Sequence, residues 1–146
     1  MTNPLRVSFT LTFALTVLLP PHTAQAQEAK ASKPSLSLRA TPTSGFTPLR
    51  VRLIANLRDG SDDYEEFYCA SVEWDWDDGT VSESSMDCDP YEAGESQIQR
   101  LFTAEHLFRQ QGRHSVTFRL KHRGEVVAFS NVNIQVNAGF GDRFGR

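Results

Sequence analysis

The sequence has only two cysteines in 146 residues, which excludes a protein held together by a dense set of disulfides. Its longest apolar run, residues 7–19, is shorter than the roughly 20 residues that a membrane-spanning helix needs. A formal net charge of −3 and 39% hydrophobic residues exclude both a basic nucleic-acid-binding protein and a disordered chain. We therefore expect one globular domain that neither spans a membrane nor binds nucleic acid. We expect this domain to be a monomer.

Signatures of the common enzyme classes are also missing. The chain has no HExxH zinc motif, no GxSxG nucleophile elbow, no phosphate-binding loop and no dinucleotide fingerprint. Its 18 acidic residues include no two that the sequence orders at a defined separation, as a pair of catalytic carboxylates would be. We predict that the protein is not an enzyme and needs no cofactor, with a small secreted hydrolase as a remote alternative.

Residues 1–26 have the pattern of a secretory signal peptide. Arg6 precedes an uncharged, largely apolar run, and Ala24-Gln25-Ala26 supplies the small-x-small pattern that signal peptidase requires. We predict cleavage after Ala26 and a secreted or periplasmic mature protein. An uncleaved anchor is the alternative, and the shortness of the run argues against it.

Basic residues are absent from one long stretch of the chain. Residues 59–95 contain 14 acidic residues and no lysine or arginine. The stretch is either a solvated end of the domain, a Ca²⁺ site, or a docking surface for a cationic partner, which includes a second copy of the chain. The calcium interpretation would use the acidic residues of the predicted loops: Asp59, Asp62, Asp63, Asp77, Asp78, Asp87 and Asp89.

Apolar residues alternate with polar ones from residue 36 onwards, which is typical of half-buried strands. Turn signals separate the alternating segments, and Asp78-Gly79 predicts a type I′ hairpin. We expect the strands on either side of the turn at residues 109–112 to pair, with His106 opposite Ser115. About seven antiparallel strands predict an all-β sandwich.

Three segments resemble PKD (polycystic kidney disease) domains. Residues 74–80, WDWDDGT, are similar to the family's WDFGDGT motif, residues 105–118 to its S-H-T-Y…G-x-Y-x-V-x-L ending, and residues 40–51 to its opening. His114 stands where the family has tyrosine. The positions that match the family motif are Trp74, Asp75, Asp78, Gly79, His106, Phe108 and Gly112.

The resemblance implies an immunoglobulin-like sandwich of the PKD type, used outside the cytoplasm. Such domains contact a protein or carbohydrate partner or act as spacers, so we expect a non-catalytic, monomeric interaction module, with a Ca²⁺-stabilised spacer as the alternative. It implies structural roles for Trp74, for His106 and for His114, which occupies a framework position of the family. The expected division is a signal peptide (1–26), a flexible leader (27–35), the sandwich (36–137) and a disordered tail (138–146).

Two features of the acidic stretch remain open from the sequence. Cys69 and Cys88 are an even pair in an exported chain, which favours a disulfide over two free thiols or a shared metal site. Tyr64, Phe67, Tyr68 and Tyr91 either cover the end of the core or stand exposed to stack on a sugar or anchor a protein. We favour the first interpretation of these aromatic residues.

Overall fold

Alternation of apolar and polar side chains builds the long strands. In the strand that begins at Leu49, every odd-numbered residue to Leu57 is buried, while most of the residues between them are exposed. A computed structural model describes residues 31–139. Its strands are β1 (Ser35–Thr41), β2 (Ser44–Phe46), β3 (Leu49–Arg58), β4 (Ser71–Asp75), β5 (Val81–Ser84), β6 (Leu101–Phe108), β7 (Gly112–His122) and β8 (Glu125–Asn137).

The strands form two sheets that pack face to face. One sheet has three strands in the order β1-β3-β6, and the other has five in the order β2-β8-β7-β4-β5. Buried side chains of both sheets share one core, in which the rings of Phe102 and Phe118 lie 5.3 Å apart across the interface. A short 3₁₀ turn, Glu65–Phe67, precedes β4. The structure confirms the predicted immunoglobulin-like sandwich.

The strand pairing differs from the sequence prediction at two places. The expected pairing of the strands around residues 109–112 is wrong, because β6 pairs with β3 whereas β7 pairs with β4 and β8 in the other sheet. Strand β2 runs parallel to β8, whereas the sequence analysis predicts antiparallel strands. Alternation identifies the buried face of a strand but does not identify its neighbour.

The β4–β5 hairpin exists, but its turn is not of the predicted type. A type I′ turn at Asp78-Gly79 needs a positive φ at both residues. The positive φ angles are instead at Asp77 (55°) and Gly79 (86°). Trp76 N–H donates to the carbonyl of Thr80, which closes a longer turn. The extra residues let several aspartate side chains fold back onto the backbone.

The ends of the described chain are held by hydrogen bonds. Ser32 and Ser61 exchange two of them, and Lys33 Nζ donates to the carbonyl of Val127. Gly139 N–H donates to Thr47 Oγ1. The predicted signal peptide with its cleavage site, residues 27–30 of the predicted leader and residues 140–146 of the predicted tail lie outside the described residues. Within residues 31–139, no helix has the length and apolarity needed to cross a bilayer.

Candidate functional site

The acidic stretch is divided between two ends of the sandwich and one sheet face. Strand β4 runs from the bridged loops, which we define as residues 59–70 and 85–100, to the motif turn, residues 76–80. These loops and this turn therefore lie at opposite ends of the five-stranded sheet. Glu73, Asp75 and Glu83 lie on strands β4 and β5 between them. The 14 acidic residues of the stretch therefore do not form one patch.

Aromatic stacking holds the motif turn against the core. The ring of Trp76 lies 5.7 Å from Trp74 and 4.3 Å from His106, and all three rings are nearly parallel. Both tryptophans are at least 95% buried. Trp76 also donates from Nε1 to Ser82 Oγ. His106, which matches the PKD motif, is thus a ring of the stack.

The aspartates of the turn are bonded within the protein. Asp78 accepts hydrogen bonds from the backbone N–H and the hydroxyl of Thr80 and from His106 Nε2, the last at 2.7 Å. Burial acts to raise the pKa of Asp78, but the bonds from Thr80 and His106 outweigh it and the pKa is lowered. The carboxylate therefore stays charged and ties β6 to the turn.

A second histidine fastens the turn to β7. The ring of His114 is 6% exposed, and its Nδ1 donates to the carbonyl of Asp77 at 3.0 Å. Asp77 Oδ2 accepts from the backbone N–H of Ser115 at 2.7 Å. His114 thus supplies a hydrogen bond where the family has a tyrosine. Phe108, buried between the two histidines, contacts both rings. The remaining motif position, Gly112, begins β7.

The acids on the sheet face are paired with bases of β7. Glu73 accepts from Arg119 and from Lys121, Asp75 accepts from Arg119, and Glu83 accepts from Lys121. The hydrogen bond from Lys121 is the main cause that lowers the pKa of Glu73 to about 2, against the opposing effect of burial. These ion pairs neutralise part of the negative charge of the acidic stretch within the protein.

Asp62 and Asp63 organise the bridged loops rather than facing a partner. Asp62 Oδ1 lies 2.5 Å from Nε of Arg100, whose guanidinium also donates to the carbonyls of Asp59 and Gly60. Asp63 accepts from the hydroxyl of Tyr91 and from the backbone N–H of Gly94. Arg100 is a site residue that the sequence analysis missed. Its signal is its position as the first basic residue after the acidic stretch.

The predicted disulfide joins the two bridged loops. Cys69 and Cys88 are bonded, with Cα atoms 6.1 Å apart. The link fixes the loop after β5 against the loop before β4. Together with the bonds of Asp62 and Asp63, it makes this end of the sandwich a preorganised surface.

An open groove of about 540 Å³ lies on the bridged loops. We call it the acidic groove. Its lining residues are Tyr68, Asp89, Pro90, Glu92, Glu95, Ser96 and Gln97. The carboxylates of Asp89, Glu92 and Glu95 are exposed, and within residues 31–139 none of them forms an ion pair. Glu92 and Glu95 were not singled out by the sequence analysis, because they follow no recognised spacing.

The four loop aromatics mainly cover the end of the core. Phe67 is 2% exposed, and Tyr64 and Tyr68 pack partly buried against the core cluster. The ring of Tyr91 packs against Tyr68 at a tilt of 59°, with ring centroids 5.6 Å apart. The favoured interpretation of these residues holds, while Tyr68 also lines the acidic groove.

The seven aspartates of the calcium interpretation are not brought together. Asp77 and Asp78 belong to the motif turn, and the other five belong to the bridged loops at the opposite end of β4. Among residues 31–139, no group of three or more His, Cys, Asp or Glu side chains is placed to hold a metal ion.

Comparisons with known proteins give matches of fold. No family model matches the chain, and no curated protein matches it. The PKD domain of an M14-like peptidase from a Thermoplasmatales archaeon is similar, with 12% identity, a TM-score of 0.48 and coverage of 73% of this chain and 98% of that domain. A CARDB domain from Pyrococcus furiosus, solved in complex with di-metal ions, is similar at 10% identity with a TM-score of 0.46, covering 72% and 90%. A PKD domain is thus among the structures that this chain is similar to.

Proposed function

We propose that the protein is an exported, non-catalytic interaction module that binds a cationic protein segment in the acidic groove. The observation that carries the proposal is the set of three exposed, unpaired carboxylates, Asp89, Glu92 and Glu95, around one concave surface. Carboxylates on a fixed scaffold attract lysine and arginine side chains by electrostatic complementarity. Tyr68, which also lines the groove, adds an aromatic side chain that can contact a bound cation.

Preorganisation supports this choice of site over the other acids. The disulfide and Arg100 hold the loops in place, so binding orders little additional chain. Most other acids of the stretch already have partners, among the bases of β7, within the motif turn or, for Asp62, in Arg100. In the acidic groove, three neighbouring carboxylates keep their charge free for a partner.

A cationic peptide tests the proposal. We expect the purified full chain to bind a ten-residue lysine- and arginine-rich peptide, measured by fluorescence anisotropy at 0.15 M salt. The variant D87N/D89N/E92Q/E95Q removes the three carboxylates of the groove and the neighbouring Asp87 of the same loop. It should weaken binding by on the order of tenfold or more, because each charge-assisted hydrogen bond contributes about 1.5–3 kcal/mol. A matched control, E65Q/E66Q/E105Q/E125Q, changes the net charge equally outside the groove.

Equal weakening by both quadruple variants would show attraction to net charge and would refute the groove as the site. Thermal melting in calcium and in EDTA tests the alternative of a Ca²⁺-stabilised spacer, because such a module should melt several degrees higher with calcium than with the chelator.

Mass spectrometry of the released protein tests the exported state. The measured mass should be that of a chain that begins at Gln27 and has lost two hydrogens in forming the disulfide.

A further inference from the structure

A second charged surface lies on the outer face of the three-stranded sheet. In β3 the odd-numbered residues face the core, so Arg50, Arg52 and Arg58 point outwards. Arg39 of β1 is directly opposite Ile54 of β3, which places its side chain on the same outer face. All four arginines are exposed. We call Arg39, Arg50, Arg52 and Arg58 the arginine face.

The arginine face is almost free of negative charge. Its one acidic neighbour on β6 is Glu105, which lies opposite Arg52 and 3.7 Å from Arg50. Arg39, Arg52 and Arg58 form no ion pair with any residue from 31 to 139. Four bases and one acid thus occupy one face of a protein whose overall charge is −3. At 0.15 M salt charges are screened over about 8 Å, so a ligand at this face responds to the local positive charge.

The arginines are spread along the strands in an extended row. At about 3.4 Å per residue, the Cα atoms of Arg50 and Arg58 are about 27 Å apart along β3. The sheet is three strands wide, with about 4.8 Å between neighbouring strands. The charged face is therefore longer than it is wide, which suits a linear ligand with repeated charges.

The side chains between the arginines argue against a folded protein partner. Between the arginines, the outward positions hold mainly serine, threonine and asparagine, together with three apolar residues, the exposed Ile54 and Leu101 and the half-buried Leu107, and no aromatic residue. Protein interfaces typically have a desolvated core enriched in aromatic side chains, which this face lacks. The planar guanidinium donates two parallel hydrogen bonds to a carboxylate or sulfate group.

We infer that the arginine face binds a linear acidic polysaccharide, one that carries carboxylate or sulfate groups along its chain. This site is separate from the acidic groove and does not depend on the function proposed for it. Arg39, Arg52 and Arg58 are exposed and form no ion pair within the described chain, so their charges are available to a ligand.

Immobilised polysaccharides test the inference with the purified full chain. The probes are polygalacturonate, dextran sulfate and neutral dextran, together with a 30-nucleotide single-stranded DNA. We expect binding to one or both acidic polysaccharides at 50 mM salt, loss of that binding by about 0.5 M salt as counterions screen the face, and no binding to neutral dextran. The variant R39Q/R52Q/R58Q should weaken binding by at least tenfold, since removing even one charge-assisted hydrogen bond weakens binding about tenfold.

A control variant of equal charge makes the result specific. R109Q/R113Q/R123Q removes three exposed arginines that do not belong to the face. It should bind the polysaccharide as the unchanged chain does, and circular dichroism should show that both variants are folded. Equally weakened binding in both variants, or no binding to either acidic polysaccharide at 50 mM salt, would overturn the inference.

Tighter binding to the DNA than to the polysaccharides would reassign the face to nucleic acid. Self-association in sedimentation velocity that R39Q/R52Q/R58Q abolishes would reassign it to a second copy.

Discussion

Glu73 is the acidic residue whose charge the protein fixes most strongly. It lies between Arg119 and Lys121, and only 13% of its side chain is exposed. Neighbouring acids share the same two bases, so the network continues if one bond is broken. The acidic residues of the stretch thus have different roles. Glu73 stabilises the folded protein through its ion pairs, whereas Asp89 and its neighbours have no ion pair within the described chain and remain available to a ligand.

Acid pH should expose the contribution of Glu73. Its pKa falls from the usual 4.5 to about 2 in the folded protein, so its stabilisation is complete above pH 4.5 and is lost as the pH falls towards 2. Glu73→Gln should remove that part of the pH dependence and cost about 1 kcal/mol at pH 7, because Arg119 and Lys121 keep other partners. Urea unfolding between pH 2 and pH 7 measures both effects. Glu95→Gln, an exposed acid without an ion pair, should leave the curve unchanged.

The carboxylate of Asp78 gives a second prediction for a single residue. Asp78→Asn cannot accept from both Thr80 and His106 in the same way, so the turn should lose about 1–2 kcal/mol of stability. Because Trp76 stacks on His106, the tryptophan fluorescence of the folded protein should shift. Asp87→Asn, a change of the same type in an exposed loop, should alter neither. A stable variant with unchanged fluorescence would contradict the role assigned to Asp78.

Among the structural elements, the bridged loops depend on a single covalent link. Breaking it with C69S/C88S should lower the unfolding free energy by about 3 kcal/mol, as the loop-entropy model gives for a loop of this size. Hydrogen exchange should rise in residues 85–97 more than in strands β7 and β8, since the link holds those loops. Uniform loss of protection across the sheets would show that the disulfide supports the whole fold instead.

The elements that the sequence predicts well are those whose signal is local. Alternation identifies the buried faces of β3 and β7, and the cysteine count identifies the disulfide. The pairing of β6 is missed because its partner, β3, is more than 40 residues away and no turn connects them directly. The turn at residues 76–80 is misread because Asp77, and not Asp78, adopts the positive φ.

The candidate site is harder to derive from sequence because it depends on which charges remain unpaired. Asp62 and Asp89 look alike in the sequence, yet Arg100 neutralises the first and nothing described pairs with the second. Arg39 and Arg52 are separated by 12 residues and meet on one face only through strand register. A count of charges therefore locates the acidic stretch, but only the folded chain identifies its available part.

At the scale of the whole molecule, the two charged surfaces should act independently. We expect D87N/D89N/E92Q/E95Q to lose the cationic peptide while it still binds acidic polysaccharide, and R39Q/R52Q/R58Q to show the reverse. At 0.15 M salt, screening over about 8 Å limits the influence of one surface on the other. Binding assays with both probes on both variants measure this. If either variant loses both ligands, the surfaces form one site or the variant is misfolded, which circular dichroism decides.

The parallel pairing of β2 with β8 has a mechanical consequence. The described chain enters the sandwich at the end where the bridged loops lie and leaves it at the end of the motif turn. Tension applied between residues 31 and 139 would pull β2 and β8 in opposite directions along their shared axis. Their hydrogen bonds would be loaded together in shear and could not open one at a time. The domain should therefore resist stretching along its length better than its three-residue strand β2 suggests.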